Sequence, residues 1–214
     1  MLILPTKGRP GNLRRFVHNY YVTGGTLPVW VVLDAADGSG YNDVKLPDHW
    51  KRISVPSGTP LGGIFDRIFK KYPNESYYGM IADDVVPQTM QWDTMMADLC
   101  QPDKIVWGMD GIQNEKLPVH PFIGGDLLRK IGWWAAPGLK HWFVDNVWKH
   151  IADSLNCGVY LHDVKMTHLH HINGNAAMDR TYREQPDHKA DQRVYEKFMN
   201  EQFSGVIDRV KALG

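Results

Sequence analysis

Cysteine is almost missing from this chain: Cys100 and Cys157 are the only two in 214 residues. That is too few for a secreted disulfide framework, and the pair lacks the spacing of a zinc site, so both read as ordinary buried thiols in a reducing compartment. Net charge is missing as well, with 24 Lys plus Arg set against 24 Asp plus Glu. No global field announces nucleic acid or an anionic membrane, and a charged partner has to be met by a local patch. No apolar run approaches the roughly 20 residues of a bilayer span, and the opening MLILPT falls far short of a signal-peptide core. The expectation is a soluble, cytoplasmic protein with no membrane partner. Internal repeats and low-complexity tracts are also lacking. What remains is one domain, 1–214, long enough to bury roughly 70% of the surface its unfolded chain exposes.

The first half alternates regularly. Residues 2–4 form a short apolar run ended by Pro5, and GNLRRFVHNYYVTGG places Leu13, Phe16, Val17 and Tyr20 at helical spacing before a Gly24–Gly25 stop. PVWVVLDAADG and KRISVP are strands, Leu61, Ile64, Phe65, Ile68, Phe69 and Tyr72 mark a second helix, and YYGMIADDV is a fourth strand. The order β-α-β-β-α-β with near-continuous apolar strands predicts an α/β sheet covered on both faces, with ligands at the carboxyl ends of its strands. The second half is less regular. KIVWGMDG reads as a strand, GGDLLRKIGWW as a short helix, FVDNVWKHIADSL as a helix and GVYLHDVKMTHLHH as one or two strands. INGNAAMDRTYREQPDHKADQ is polar and aperiodic, either a functional flap or poorly ordered. A last helix over about 189–213 packs back on the sheet. The chain thus divides into a regular half (1–107), a less regular half (108–186) and a C-terminal helix (187–214).

Chemistry concentrates at a few places. Asp83 and Asp84 stand side by side at the end of a buried strand, where their repulsion requires a cation or donors. A divalent metal is one natural compensation, since hard cations take carboxylate oxygens; capping of the next helix is the other. Asp145, early in an amphipathic helix among aromatics, either caps that helix or serves as a general base with a raised pKa. His168 and His170 share one face of an extended segment and are either structural, hydrogen-bonding histidines or ligands, since a neutral imidazole ligates Mn²⁺-like ions. Arg180 and Arg183 either form a solvated face or suit a loop closing over phosphate oxygens. Asp126, Trp133 and Trp134 offer the aromatic faces and carboxylate that a sugar requires, or belong to the core.

LILPTKGRPGNLRRFV, VWVVLDAADG, YYGMIADDVVP and HWFVDNVW, in that order, resemble nucleotide-sugar glycosyltransferases of the A-type fold, particularly the large inverting family and its small phage-encoded relatives. The resemblance covers residues 2–179. It implies a three-layer Rossmann-like GT-A fold with a mixed central sheet and a metal-dependent, inverting transfer of a sugar from a nucleoside diphosphate, UDP favoured, to an acceptor hydroxyl. It lays Pro5, Thr6 and Arg9 along the nucleotide, puts Asp34 on the base, and makes Asp83 a metal and donor ligand, with Asp84, His168 or His170 completing the Mn²⁺ or Mg²⁺ site. It assigns the general base to Asp145 and sets Asp126, Trp133 and Trp134 near the sugar or acceptor. The family's Asp-x-Asp is not intact, because its first aspartate falls at Ile81. Phage-encoded relatives suggest a modified pyrimidine in DNA as the acceptor and a host cytoplasm as the setting. Lys7, Arg9, Arg14 and Arg15, or Arg67, Lys70 and Lys71, would supply the local basic patch. A His-rich metal-dependent hydrolase and a non-catalytic nucleotide-sugar-binding module are the alternatives.

Overall fold

The computed structural model describes residues 1–213. Its strands are β1 (Leu2–Thr6), β2 (Val29–Asp34), β3 (Lys51–Val55), β4 (Tyr77–Met80), β5 (Val85–Pro87), β6 (Ile105–Met109), β7 (Phe122–Gly124) and β8 (Gly158–His168). Its helices are α1 (Pro10–Val22), α2 (Leu61–Lys71), α3 (Trp92–Leu99), α4 (Gly125–Ile131), α5 (Val144–Leu155), α6 (Arg180–Arg183), α7 (His188–Glu201) and α8 (Phe203–Ala212). The sheet order is β3-β2-β1-β4-β7-β6-β8-β5. Strands β1 to β4 run parallel, β7 runs antiparallel between β4 and β6, and β8 lies parallel to β6 before pairing antiparallel with β5 at its far end.

Alternation along the central strands builds three layers. In β1, Ile3 faces a core shared with Phe65 and Ile68 of α2, Leu127 and Leu128 of α4, Val147, Trp148 and Ile151 of α5, and Phe198 and Val206 of α7 and α8. Leu2 and Leu4 face the opposite core, with Leu13, Phe16 and Tyr20 of α1 and Trp92 and Met96 of α3. Strands buried on both faces read as continuous apolar runs, which is why β1 and β2 stand out in the sequence.

Several boundaries differ from expectation. Pro5 does not end β1; it lies inside it, opposite Val32. The three-residue strands β5 and β7 are too short to carry a period, and β7 takes Gly124, the first residue of the segment assigned to a helix. The single C-terminal helix is two, broken at Gln202. Residues 172–187 are an ordered strap with a short helix, α6. Among the described residues no helix is long and apolar enough to cross a membrane.

Candidate functional site

Three strands end in aspartates at the same edge of the sheet. Asp34 ends β2, Asp83 and Asp84 follow β4, and Asp110 follows β6; all four are buried. Strand β8 brings His168 to the same edge, where its N–H donates to Asp110 O at 2.9 Å and Leu169 N–H donates to Asp84 O at 2.9 Å. This is the carboxyl end of the parallel strands, the usual ligand side of such sheets.

The repulsion between Asp83 and Asp84 is met by several donors. Thr6 Oγ1 donates to Asp83 Oδ2 at 2.6 Å, Asn12 Nδ2 to Asp83 Oδ1 at 3.3 Å, and Tyr182 OH to Asp84 Oδ2 at 2.8 Å. Arg9 Nη1 lies 3.4 Å from each carboxylate. Burial, helped by Asp84, raises the Asp83 pKa to about 6. Burial also opposes ionisation of Asp84, but His168 and Tyr182 outweigh it and hold Asp84 below the usual carboxylate range. The two neighbours are thereby driven apart, as like charges sharing a site must be. Asp84 Oδ1 faces His168 Nε2 at 3.4 Å and has no hydrogen-bond partner. His170 packs on His168 with ring centres 5.3 Å apart, and its Nδ1 accepts from Ile172 N–H at 3.3 Å and caps a 3₁₀ turn.

Asp145 lies in the first turn of α5. The cap position belongs to Phe143, whose side chain has no oxygen to offer, so Asp145 is not the N-cap. Its Oδ1 accepts from Asn146 N–H at 3.0 Å. Burial raises its pKa to about 6, with the Asp110 charge adding to the rise and His168 opposing it. The preceding loop is fixed from beneath by buried Asp191 of α7, which accepts from the amides of Lys140, His141 and Trp142.

The strap closes over this edge. Asp179 caps α6 and grips Arg9 with both oxygens, Nε to Oδ2 at 2.7 Å and Nη2 to Oδ1 at 2.9 Å, while the Arg9 guanidinium lies 4.0 Å from the Tyr182 ring centre. Thr181 Oγ1 donates to Lys7 O at 2.8 Å, and Lys7 pairs with Glu184 at 3.3 Å. Asp179 lines two cavities, of about 230 and 240 Å³, and Arg9 lines the second.

Other expected residues are placed differently. Pro5 and Thr6 lie in β1 beside the cluster, but both oxygens of Asp34 accept backbone amides, from Ala36 and Gly58 at 2.9 Å each. Burial works against the Asp34 charge, and those amides outweigh it, so its pKa is lowered. Arg180 is 87% exposed and paired with Glu184, and Arg183 donates to Asp179 O and Met178 O within the strap. Neither reaches the aspartate pair. Asp126 is a correction: it sits in the first turn of α4, which begins where Gly125 N–H donates to Ser76 O, at the amino end of β4, and it pairs with Arg129. Trp134 is also corrected. It is 1% exposed, stacked on Phe65 at 4.9 Å, and cannot reach a sugar. Trp133 packs on Trp148 and Phe198. Of the basic residues expected to form a patch, Lys7, Arg9 and Arg14 are engaged with carboxylates.

Asp110, His120, Asp179 and Tyr182 complete the cluster without having been assigned from the sequence. Asp110 carried the same signal as Asp34, an aspartate closing an apolar strand. His120 is buried, its rings 5.0 Å from those of His168.

The arrangement of strands and helices is that of the GT-A type of nucleotide-sugar glycosyltransferase fold. It is similar over 98% of this chain and 96% of the other to a nucleotide-diphospho-sugar transferase from Desulfovibrio desulfuricans G20, at 11% identity and a TM-score of 0.54. Glucosyl-3-phosphoglycerate synthase of Mycobacterium tuberculosis, solved with Mn²⁺, UDP and glucosyl-3-phosphoglycerate, matches over 87% of this chain and 80% of its own, at 12% identity and a TM-score of 0.57. S. aureus TarS 1–349 with UDP matches over 77% of this chain at 13% identity and a TM-score of 0.55; this chain spans 58% of that fragment and 35% of the longer TarS chain. No protein-family model and no curated protein sequence matches the chain.

Proposed function

We propose that the protein is a metal-dependent, inverting glycosyltransferase that moves a sugar from a nucleoside diphosphate, UDP favoured, to an acceptor hydroxyl. The observation that carries the reading is the buried Asp84 Oδ1 opposite His168 Nε2, at the carboxyl ends of the strands. A hard-and-borderline donor set of one carboxylate oxygen and one imidazole nitrogen, the oxygen without a hydrogen-bond partner, fits Mn²⁺ or Mg²⁺, with diphosphate oxygens and water filling the other positions. Among the described residues no three His, Cys, Asp or Glu side chains converge on one point, so the donor itself would complete the site. Once bound, the cation would neutralise charge growing on the leaving diphosphate.

This chain's own residues supply the rest. Arg9, freed from Asp179, offers a planar fork to phosphate oxygens. Asp83 orients Thr6, Asn12 and Arg9 behind the donor. Asp145, whose carboxyl titrates near neutrality, takes the acceptor's proton as that oxygen attacks the anomeric carbon. Attack on the face opposite the leaving group inverts the centre and requires no covalent intermediate. A DNA acceptor finds little support, since the first basic group is mostly paired internally. The late position of His168 on an open mixed sheet argues against the hydrolase alternative.

The test is incubation with a panel of nucleotide sugars and Mn²⁺, reading release of free nucleoside diphosphate. Slow release from one donor, abolished by chelator, is expected. No release from any donor, together with no Mn²⁺-dependent affinity for UDP, would overturn the reading.

A further inference from the structure

Asp110 has no part in the reaction as described, yet its side chain is among the most constrained in the site. Its Oδ1 accepts from three consecutive amides, Ile112 at 3.1 Å, Gln113 at 2.8 Å and Asn114 at 2.7 Å, and the same turn is closed by Gly111 N–H on Asn114 Oδ1 at 2.9 Å. The other oxygen, Oδ2, is buried without a hydrogen-bond partner. Opposite it, across 3.8 Å, lies His168 Nδ1, which is buried and equally partnerless. The two residues also share a main-chain bond, His168 N–H to Asp110 O, so they cannot drift apart independently. His120 abuts the imidazole from a third direction and limits its tilt.

We propose that Asp110 is a positioning residue that holds the proton on His168 Nδ1 and so keeps the Nε2 lone pair directed at Asp84 and the divalent cation. The inference rests on the reading that Asp84 and His168 hold that cation. The reason is tautomeric. A neutral imidazole has one N–H and one lone pair, and only the nitrogen without the proton can ligate. Asp84, facing Nε2, draws a proton to that nitrogen whenever no cation lies between them. A carboxylate at Nδ1 keeps a proton there as well, so that the proton displaced by the cation is the one on Nε2, and it raises the basicity of the ligating nitrogen. Of the two, Asp110 is tied to its own backbone by three amides, whereas Asp84 is held by side chains from other elements. The fixed partner sets the ring and the adaptable one faces the cation.

Asp110→Asn keeps an oxygen for the three amides but presents an NH₂ group to Nδ1, which must then accept, leaving the proton on Nε2. With UDP saturating, the Mn²⁺ affinity read by electron paramagnetic resonance titration should fall about tenfold to a hundredfold, while UDP affinity without metal and the thermal midpoint stay near wild type. In the wild-type Mg²⁺–UDP complex, imidazole ¹⁵N shifts should show His168 protonated at Nδ1. His168→Ala is the control. If wild type binds no Mn²⁺ with UDP, or His168→Ala binds it equally well, the cation reading itself fails. If both behave as expected but Asp110→Asn binds Mn²⁺ like wild type, the role given to Asp110 is overturned. Protonation of His168 at Nε2 in the wild-type complex overturns it too, with no variant required.

Discussion

Asp126 and Asp145 hold the same place in their helices, each the second residue of its first turn, and each gains the same modest benefit from the helix dipole. Their surroundings have little else in common. The Asp126 side chain is 53% exposed beside Arg129 at the amino edge of the parallel strands, whereas Asp145 feels the charges of Asp110 and His168 at the carboxyl edge, with its pKa raised to about 6 by burial. Strand direction makes the difference. Antiparallel β7 delivers α4 to the edge where β4 begins, while the loop anchored by Asp191 delivers α5 to the edge where β4 and β6 end. Helix position alone does not set a carboxylate's surroundings; the end of the sheet at which the helix starts does.

The contrast would be tested most severely by Asp145→Asn. Turnover on the true acceptor should fall roughly 10²- to 10⁴-fold with UDP and Mn²⁺ binding unchanged, which is the signature of a lost proton acceptor. The wild-type rate should climb as pH rises through about 6, because deprotonation creates the base, and steady-state rates of the variant should lack that limb. Near-normal turnover would erase the distinction between the two edges. A smaller effect is expected at the strap. Asp179→Asn keeps the cap on α6 but weakens the fork on Arg9, so calorimetry should show UDP binding roughly two- to fivefold tighter; weaker binding would mean that Asp179 assists the donor instead of competing with it. The smallest effect belongs to Asp126→Ala. Stability should change by less than about 1 kcal/mol and activity not at all, read by thermal unfolding and product release. A large loss of activity would return Asp126 to the site.

Much of this was legible in the sequence where the signal was local. Aspartates closing apolar runs mark Asp34, Asp83 and Asp84, and the helical spacing before Gly24 marks α1. Asp110 was legible by the same rule and was not assigned. What could not be read depends on partners far along the chain: Arg9 meets Asp179, and Tyr182 meets Asp84, only because the strap folds back over the sheet. The break between α7 and α8 at Gln202 has no proline to announce it, and the nearest glycine, Gly205, lies inside α8. Trp134 looked like a sugar platform because aromatic residues serve cores and ligands alike, and only packing against Phe65 and Tyr78 decides.

The register of β8 has a consequence for how such a chain can change over generations. Gly108 pairs with Leu161 and Met109 with Lys165, so residues 162–164 bulge from the ladder, and Gly108 leaves room for them where a Cβ would come within 2.5 Å of Val164 O. His162 and Asp163 are exposed. Insertions or deletions beside them can be absorbed by the bulge while Val85 still meets His168. One residue gained between 165 and 168 would instead shift Thr167 or its neighbour into that register and turn the imidazole to the other face. The exposed part of the bulge is thus where a change of length disturbs the site least, and the four residues after it are where it disturbs the site most.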